Sequence, residues 1–514
     1  MVIRLPDFVK VLSEDADGEI YDKKSIRSYI ESLCKVATEF RWLTSIHAYD
    51  SLTDNFFETV WPKDWRILAD ESMFNADHLM ALNKHGTIQD IWPASFKEFA
   101  QQCKTLPLPR SVDPSEFGDT IAPAFAFASG NDINHTSTTA NGMSRKKLHE
   151  VDRFARVISY QIAQISMPDS LAPVVVVDVG AGQGYLTHRL STEFPCVAVD
   201  FDQIQTVGSV SRGDNIRKGK LRDAARVGKG QDGDFVRERY PITYKTLHID
   251  SERLVELIRE LESKDPNVQI ALVGLHACGD LSATTMLRTF ECCESVRLLA
   301  VVPCCFNLLS ESESPESACG SEGFPMSHLV RSLSIKYNLN LGYKSRNLAC
   351  QNLIRFDGTE FHSHLTGHYK RALFDALLWH FNLNPQSGIL KAENTIVKNI
   401  DPCERKQHKF RLGKMPLEAY EGDFLAYAAA ALPRLGLAEQ ITDSQILEFL
   451  ELPQYANAKR QIYVVHCAKS LMSRVLESLL LMDRYLSICD MKFISAKNID
   501  MLNLFDMDES PRNM

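Results

Sequence analysis

Val174-Val175-Val176-Val177-Asp178-Val179-Gly180-Ala181-Gly182-Gln183-Gly184 is the stretch that decides the fold of this 514-residue chain. An unbroken β-branched run reads as a strand buried on both faces, the pattern of a parallel sheet. The acidic residue and the alternating glycines after it read as a tight strand-to-helix turn. Such a turn lets backbone N–H groups approach a ligand closely. A dinucleotide fingerprint would need a glycine where Tyr185 stands. The alternative is a structural turn that holds no ligand.

Outward from this turn, apolar strand candidates alternate with helical patterns. A helix from Ser144 to about Ile165 precedes the strand Val174–Asp178, and further strands are expected at Cys196–Asp200, Tyr244–Ile249, Ile270–Leu275 and Leu298–Val302. The alternation predicts an α/β fold, a doubly wound, mostly parallel sheet. Residues 1–110 read as a helical N-terminal region, with Trp42, Trp61, Trp65 and Trp92 forming either an aromatic core or a stacking surface. The polar tract 111–142 reads as a linker, 143–360 as the α/β domain, and 361–514 as a helical C-terminal region with segments Arg371–Phe381, Phe424–Leu432 and Gln461–Leu486. Between Gly208 and Arg239 lie nine Lys or Arg against five Asp or Glu, with few apolar residues, which predicts a mobile insertion.

Several side chains fall where a doubly wound sheet places its ligand, at the carboxyl ends of the strands. Asp200 closes its strand 22 residues after Asp178 and is positioned to accept hydrogen bonds from ribose hydroxyls. Asp250 is either an adenine contact or the N-cap of the following helix. His276, in Leu275-His276-Ala277-Cys278-Gly279-Asp280, is a candidate base or acceptor-holding group, and Asp280 either joins it or caps the next helix. Cys304 and Cys305 end the fifth strand. His276, Cys278, Cys304 and Cys305 do not have the spacing of a usual zinc site, and no metal is expected. The basic start Ser144-Arg145-Lys146-Lys147 opposes the helix dipole, which suggests an anionic ligand or a solvated face.

Composition bounds the rest. A 45% hydrophobic and 24% charged chain with net charge −9 is globular, and a coat of basic surface is excluded. Its 13 cysteines include no CxxC pair, no apolar run is long enough to span a membrane, and no signal peptide is evident, so a cytoplasmic or nuclear setting is expected.

The turn Asp178 to Gly184 resembles motif I of class I methyltransferases. Together with Met143 to Glu150, His276-Ala277-Cys278-Gly279-Asp280-Leu281, Pro303-Cys304-Cys305, Val475-Leu476-Glu477-Ser478, Asp483-Arg484 and Ser510-Pro511-Arg512-Asn513, it resembles the methyltransferase-like protein 25 family. That resemblance implies a seven-strand-type sheet and S-adenosylmethionine as cofactor, held at Asp178, Gly180, Gly182, Gln183, Gly184, Asp200 and Asp250. His276, Asp280 and Cys304 are the expected catalytic group. The (D/N)PP(Y/F) motif of adenine N-methylating enzymes is absent. The acceptor is expected to be RNA; a protein acceptor and an inactive cofactor-binding scaffold are the alternatives. Oligomeric state is left open.

Overall fold

The computed structural model describes residues 23–46, 51–110, 143–165, 174–227, 240–318, 321–351, 358–383, 412, 415–491, 499, 501–506 and 509–510. The 111–142 segment, expected as a linker, lies outside them. Five strands form one open, wholly parallel sheet: β1 Val174–Val179, β2 Cys196–Asp200, β3 Ile242–Thr246, β4 Gln269–Leu275 and β5 Val296–Val302, in the order β3-β2-β1-β4-β5. The doubly wound reading is correct. The resemblance implied a seven-strand-type sheet, and among the described residues five strands are present.

The valine run works because alternate side chains serve opposite faces. On one face Val174, Val176, Cys196, Ala271 and Val273 pack with the helix Arg145–Ile165. On the other, Val177, Val179, Val197, Val199, Ile270 and Leu272 pack with Leu254, Leu257 and Ile258 of the helix Ser251–Lys264. Each buried aliphatic side chain contributes about 1.5–3 kcal/mol, so the two faces hold the sheet far more firmly than its ladder alone.

In chain order, α1 is Lys23–Glu39, α2 Ala94–Thr105, α3 Arg145–Ile165, α4 Tyr185–Leu190, α5 Gln203–Val227, α6 Ser251–Lys264 and α7 Leu287–Cys292. After β5 come α8 His328–Tyr337, α9 Gly358–His380, α10 Phe424–Ala431, α11 Ala458–Leu471 and α12 Ser473–Cys489. Helix α3 buries Val151, Phe154, Ala155, Ile158 and Ile162, the three- and four-residue spacing of one helical face. None of the helices searched among the described residues is long and apolar enough to cross a membrane.

Three sequence expectations need correction. The 208–239 stretch, expected as a mobile insertion, is helical as far as Val227, where α5 ends, and 228–239 lie outside the described residues. β3 runs Ile242–Thr246 rather than Tyr244–Ile249, because its pairing partner β2 ends at Asp200, opposite Thr246. The Gln461–Leu486 segment is two helices, α11 and α12, meeting at Met472. The tryptophans resolve as core. Trp61, Trp65 and Trp92 are buried, and Trp42 packs against them at the edge of the same cluster.

That cluster joins distant parts of the chain. Leu33 of α1 and Phe96 and Phe99 of α2 share one apolar core with Val330 and Leu333 of α8 and with Leu476 and Leu479 of α12. A second helical core forms from the C-terminal half of α9 with α10 and the helix Asp443–Leu450.

Candidate functional site

The chain leaves β1, forms β2 and β3 on one side, then crosses to β4 on the other, so β1 and β4 flank the point where the strand order reverses. Loops diverge there and leave a crevice at the carboxyl ends of the strands. Gly180, Gly182 and Gly184 all have positive φ, at 73°, 54° and 70°, which is the conformational freedom the turn requires. A Cβ on Gly184 would collide with Ser209 of α5, whereas one on Gly182 would meet nothing within 4 Å. The middle of the turn therefore faces open space.

Asp178 is fully buried at the end of β1 and accepts a 2.6 Å hydrogen bond from Thr187 Oγ1 of α4. Burial pushes its carboxyl up to about 6, against the opposing pull of the Thr187 hydrogen bond and the Lys147 charge. Asp178 thus braces the turn against α4. Asp200 Oδ2 accepts from Gly182 N at 2.8 Å and Oδ1 from Asp202 N at 2.9 Å. It ties the end of β2 to the centre of the glycine turn, and each oxygen keeps a further lone pair. Gln183 turns toward α5, donating to Gln205 Oε1 at 2.8 Å. Asp250 caps α6 by accepting from Arg253 N at 2.9 Å, and that hydrogen bond, ahead of the nearby Arg253 and His248, lowers its carboxyl. Of its two alternative roles, the N-cap is the one the structure displays.

On the β4 side, His276 occupies left-handed backbone space at φ 64°, rare for a residue with a Cβ. Its Nε2 lies 2.9 Å from Glu150 Oε2 of α3, with the His276 side chain 23% exposed and Glu150 only 2%. Glu150 Oε1 accepts from Ser510 Oγ at 2.7 Å. Burial would raise the Glu150 carboxyl, but His276, Ser510 and Lys146 together bring it down to about 2. A histidine oriented by a buried carboxylate is the arrangement of a positioned base. Lys147 is half-buried on the same helix. Burial lowers its ammonium, while Glu150, Asp178 and Cys304 act on it as negative neighbours. The basic start of α3 is thus answered by carboxylates, including Glu509, which pairs with Arg145.

Gly279, also at positive φ, lies so close to Leu308 that a Cβ would overlap its backbone, which seats the β4 loop on the β5 loop. Asp280 does not cap the following helix. Its Oδ1 accepts from Ser310 N at 2.9 Å and fastens the same two loops together. Behind them, Arg484 of α12 is buried, its guanidinium brought down to about 10 by burial and held up by Asp483, Asp280 and Cys304. Cys278 and Cys304 sulfurs are 3.2 Å apart and Cys304 and Cys305 3.5 Å. These three sulfurs lie within 4.8 Å of one another, and His276 is not one of the group. Hydrogen bonding to its neighbours, then burial, drives the Cys278 thiol upward.

Asp178, the glycines and Asp200 thus stand at the carboxyl ends of β1 and β2, and His276, Asp280 and Cys304 just past those of β4 and β5, on the two sides of the reversal point. Sequence reasoning missed Glu150, Thr187 and Ser510 as partners. Glu150 and Ser510 fall within motifs, but no local spacing signals their pairing. A separate cavity between α3, α4 and α5, bounded by Met143, Tyr185, His188, Arg212 and Ile216, includes none of the crevice residues.

Comparison with known proteins agrees with this geometry. Residues 146–312 match the methyltransferase domain family. A probable methyltransferase-like protein 25 from Mus musculus is 27% identical over 324 residues, covering 61% of this chain and 47% of that protein. Its Homo sapiens counterpart is 26% identical over 267 residues, covering 51% of this chain and 38% of that protein. The matched region thus spans less than half the length of either relative. No solved structure gives a significant match.

Proposed function

We propose that this chain is an S-adenosylmethionine-dependent methyltransferase acting on RNA. The observation that carries the reading is the glycine turn at the sheet's reversal point, open at Gly182 and tied by its N–H to the Asp200 carboxylate. The methyltransferase domain matched at 146–312 supports it. When bound, the cofactor supplies a methyl group activated by its attachment to a sulfonium centre. The turn's backbone N–H groups and the Lys147 ammonium suit its carboxylate, and Asp200 suits its ribose hydroxyls.

The chain's own groups then have distinct work. Asp178 and Thr187 fix the turn. Glu150 holds His276 at Nε2, which leaves Nδ1 as the ring nitrogen to take the acceptor's proton, while the Asp280–Ser310 hydrogen bond keeps the β4 and β5 loops in register. RNA is favoured as acceptor by α5. From Arg212 to Arg226 it carries six Lys or Arg against two Asp or Glu on the helix that follows Asp200. Cytoplasm or nucleus is the proposed setting, supported by described cysteines that form no disulfide.

Calorimetry of S-adenosylmethionine with the purified chain tests the cofactor. Saturable binding weakened by Asp178→Ala is expected, and a well-folded protein that binds nothing refutes it. Tritium transfer from labelled cofactor to fractionated RNA and protein tests the acceptor. Label in protein alone would replace RNA by a protein acceptor, and cofactor binding without transfer to either would leave a scaffold.

A further inference from the structure

The C-terminal helices hold a second cluster of chemistry-bearing side chains, on α9 and α11. His364 and His368 stand four positions apart on α9, hence on one face of the helix. His466 faces them from α11. The three rings have centroid separations of 4.5, 5.3 and 4.2 Å, and their ligand nitrogens all lie within 4.8 Å of one another. His466 is buried and the other two are half-buried.

We propose that His364, His368 and His466 form a binding site for a divalent transition-metal ion, zinc in the cell, that pins α9 to α11. Tetrahedral zinc with bonds of about 2.0–2.1 Å to nitrogen sets its ligand atoms roughly 3.3 Å apart. The observed spread needs only rotamer adjustment of about an ångström to close on an ion. Two imidazoles one helical turn apart and a third from a facing helix are a common way to assemble such a set. Its all-nitrogen character selects zinc, copper or nickel over magnesium and calcium, which require oxygen ligands. Lys469 stands close by on α11 with its ammonium donating to the Ile46 carbonyl. That charge favours an anion such as hydroxide or chloride as the fourth ligand.

The position gives the ion a task. Leu365, between the two α9 histidines, belongs to the core shared with α11 and α12, whereas Leu373, Phe374 and Leu377 further along α9 belong to the second helical core. The histidines sit where α9 passes from one core to the other. A metal there would clamp the junction without touching the crevice around Asp178 and His276.

The test uses the full chain. Purified protein is stripped with chelator, titrated with cobalt(II), and followed by absorption and thermal melting, with metal content measured before stripping. Expected are one equivalent of bound metal, weak visible ligand-field bands typical of nitrogen and oxygen ligation, and a melting temperature raised several degrees by zinc. His364→Asn with His466→Asn should abolish all three while Cys304→Ser leaves them intact. An intense near-ultraviolet sulfur-to-cobalt band, lost in Cys304→Ser and kept in the histidine variant, would assign the metal to the cysteines and overturn the proposal. A wild-type chain that takes up no cobalt and melts unchanged with zinc would overturn it as well, whether or not the variants fold.

Discussion

Asp178 and the His276–Glu150 pair place opposite demands on charge within the same crevice. The Asp178 carboxyl is pushed up to about 6 by burial, above its unfolded value, so folding favours its protonated form. That contribution is complete below about pH 4 and is lost as pH rises through 6. A shift of this size corresponds to about 3 kcal/mol at most. Asp178→Asn, which keeps an acceptor for Thr187, should therefore gain stability relative to the native chain between pH 4 and 7. Urea unfolding at several pH values measures this; a difference that does not change across the range would contradict it. Asp483, raised likewise to about 6, stays in both proteins and leaves the comparison clean. On the β4 side, His276→Ala should lower methyl transfer by about a hundredfold, the low end for a positioned acid–base group, with cofactor affinity within a few-fold. A stable variant with full transfer would remove His276 from the site.

At the scale of elements, β2 was legible to its bounds because Cys196–Asp200 is apolar up to an acidic end and buried throughout. β3 was not. It lies at the sheet's edge with partly exposed residues, and the apolar Leu247 and Ile249, which pack on the core, lie just beyond Thr246, the last residue in register with β2. Helix α5 was hidden for a related reason. Its middle buries little beyond Ser209 and Ile216, and Gly208 and Gly213 interrupt any apolar stripe. The glycine turn and Asp200 could be found from local spacing. Glu150 could not be paired with His276 or Ser510, since the partners lie 126 and 360 positions away. Helix α5 carries its own prediction. Arg217 and Lys218 are exposed on it, so replacing both with Gln should weaken RNA binding and flatten its salt dependence while leaving cofactor affinity unchanged. Filter binding at several salt concentrations, beside calorimetry, separates the two; equal losses in both would count against the assignment.

For the molecule as a whole, the question is whether residues 143–360, the segment drawn from sequence as the α/β domain, can stand alone. Part of its apolar surface is covered by the rest of the chain. Eight of its large side chains (Phe306, Leu309, Phe324, Val330, Leu333, Leu339, Leu341 and Leu348) lie in the core built with α1, α2, α11 and α12. At about 1.5–3 kcal/mol each, their burial exceeds much of the 5–15 kcal/mol net stability of an ordinary domain. Polar contacts follow the same seam. Asp483 of α12 accepts from Met326 N at 2.8 Å and Ser327 N at 2.9 Å, and Lys336 of α8 reaches Glu31 of α1 at 2.7 Å. Beyond residue 360 the chain also returns to the site itself, with Phe505 buried against α3 and the sheet and Ser510 bonded to Glu150. The 143–360 segment expressed alone should therefore aggregate, or remain soluble with weak near-ultraviolet dichroism and strong binding of hydrophobic dye. The full chain should show ordered aromatic dichroism and a cooperative melt. A soluble segment melting cooperatively and binding S-adenosylmethionine like the whole protein would show that the helical regions are appendages. Failure of the segment would instead mean that the crevice depends on helices encoded far from its strands, α1 and α12 among them.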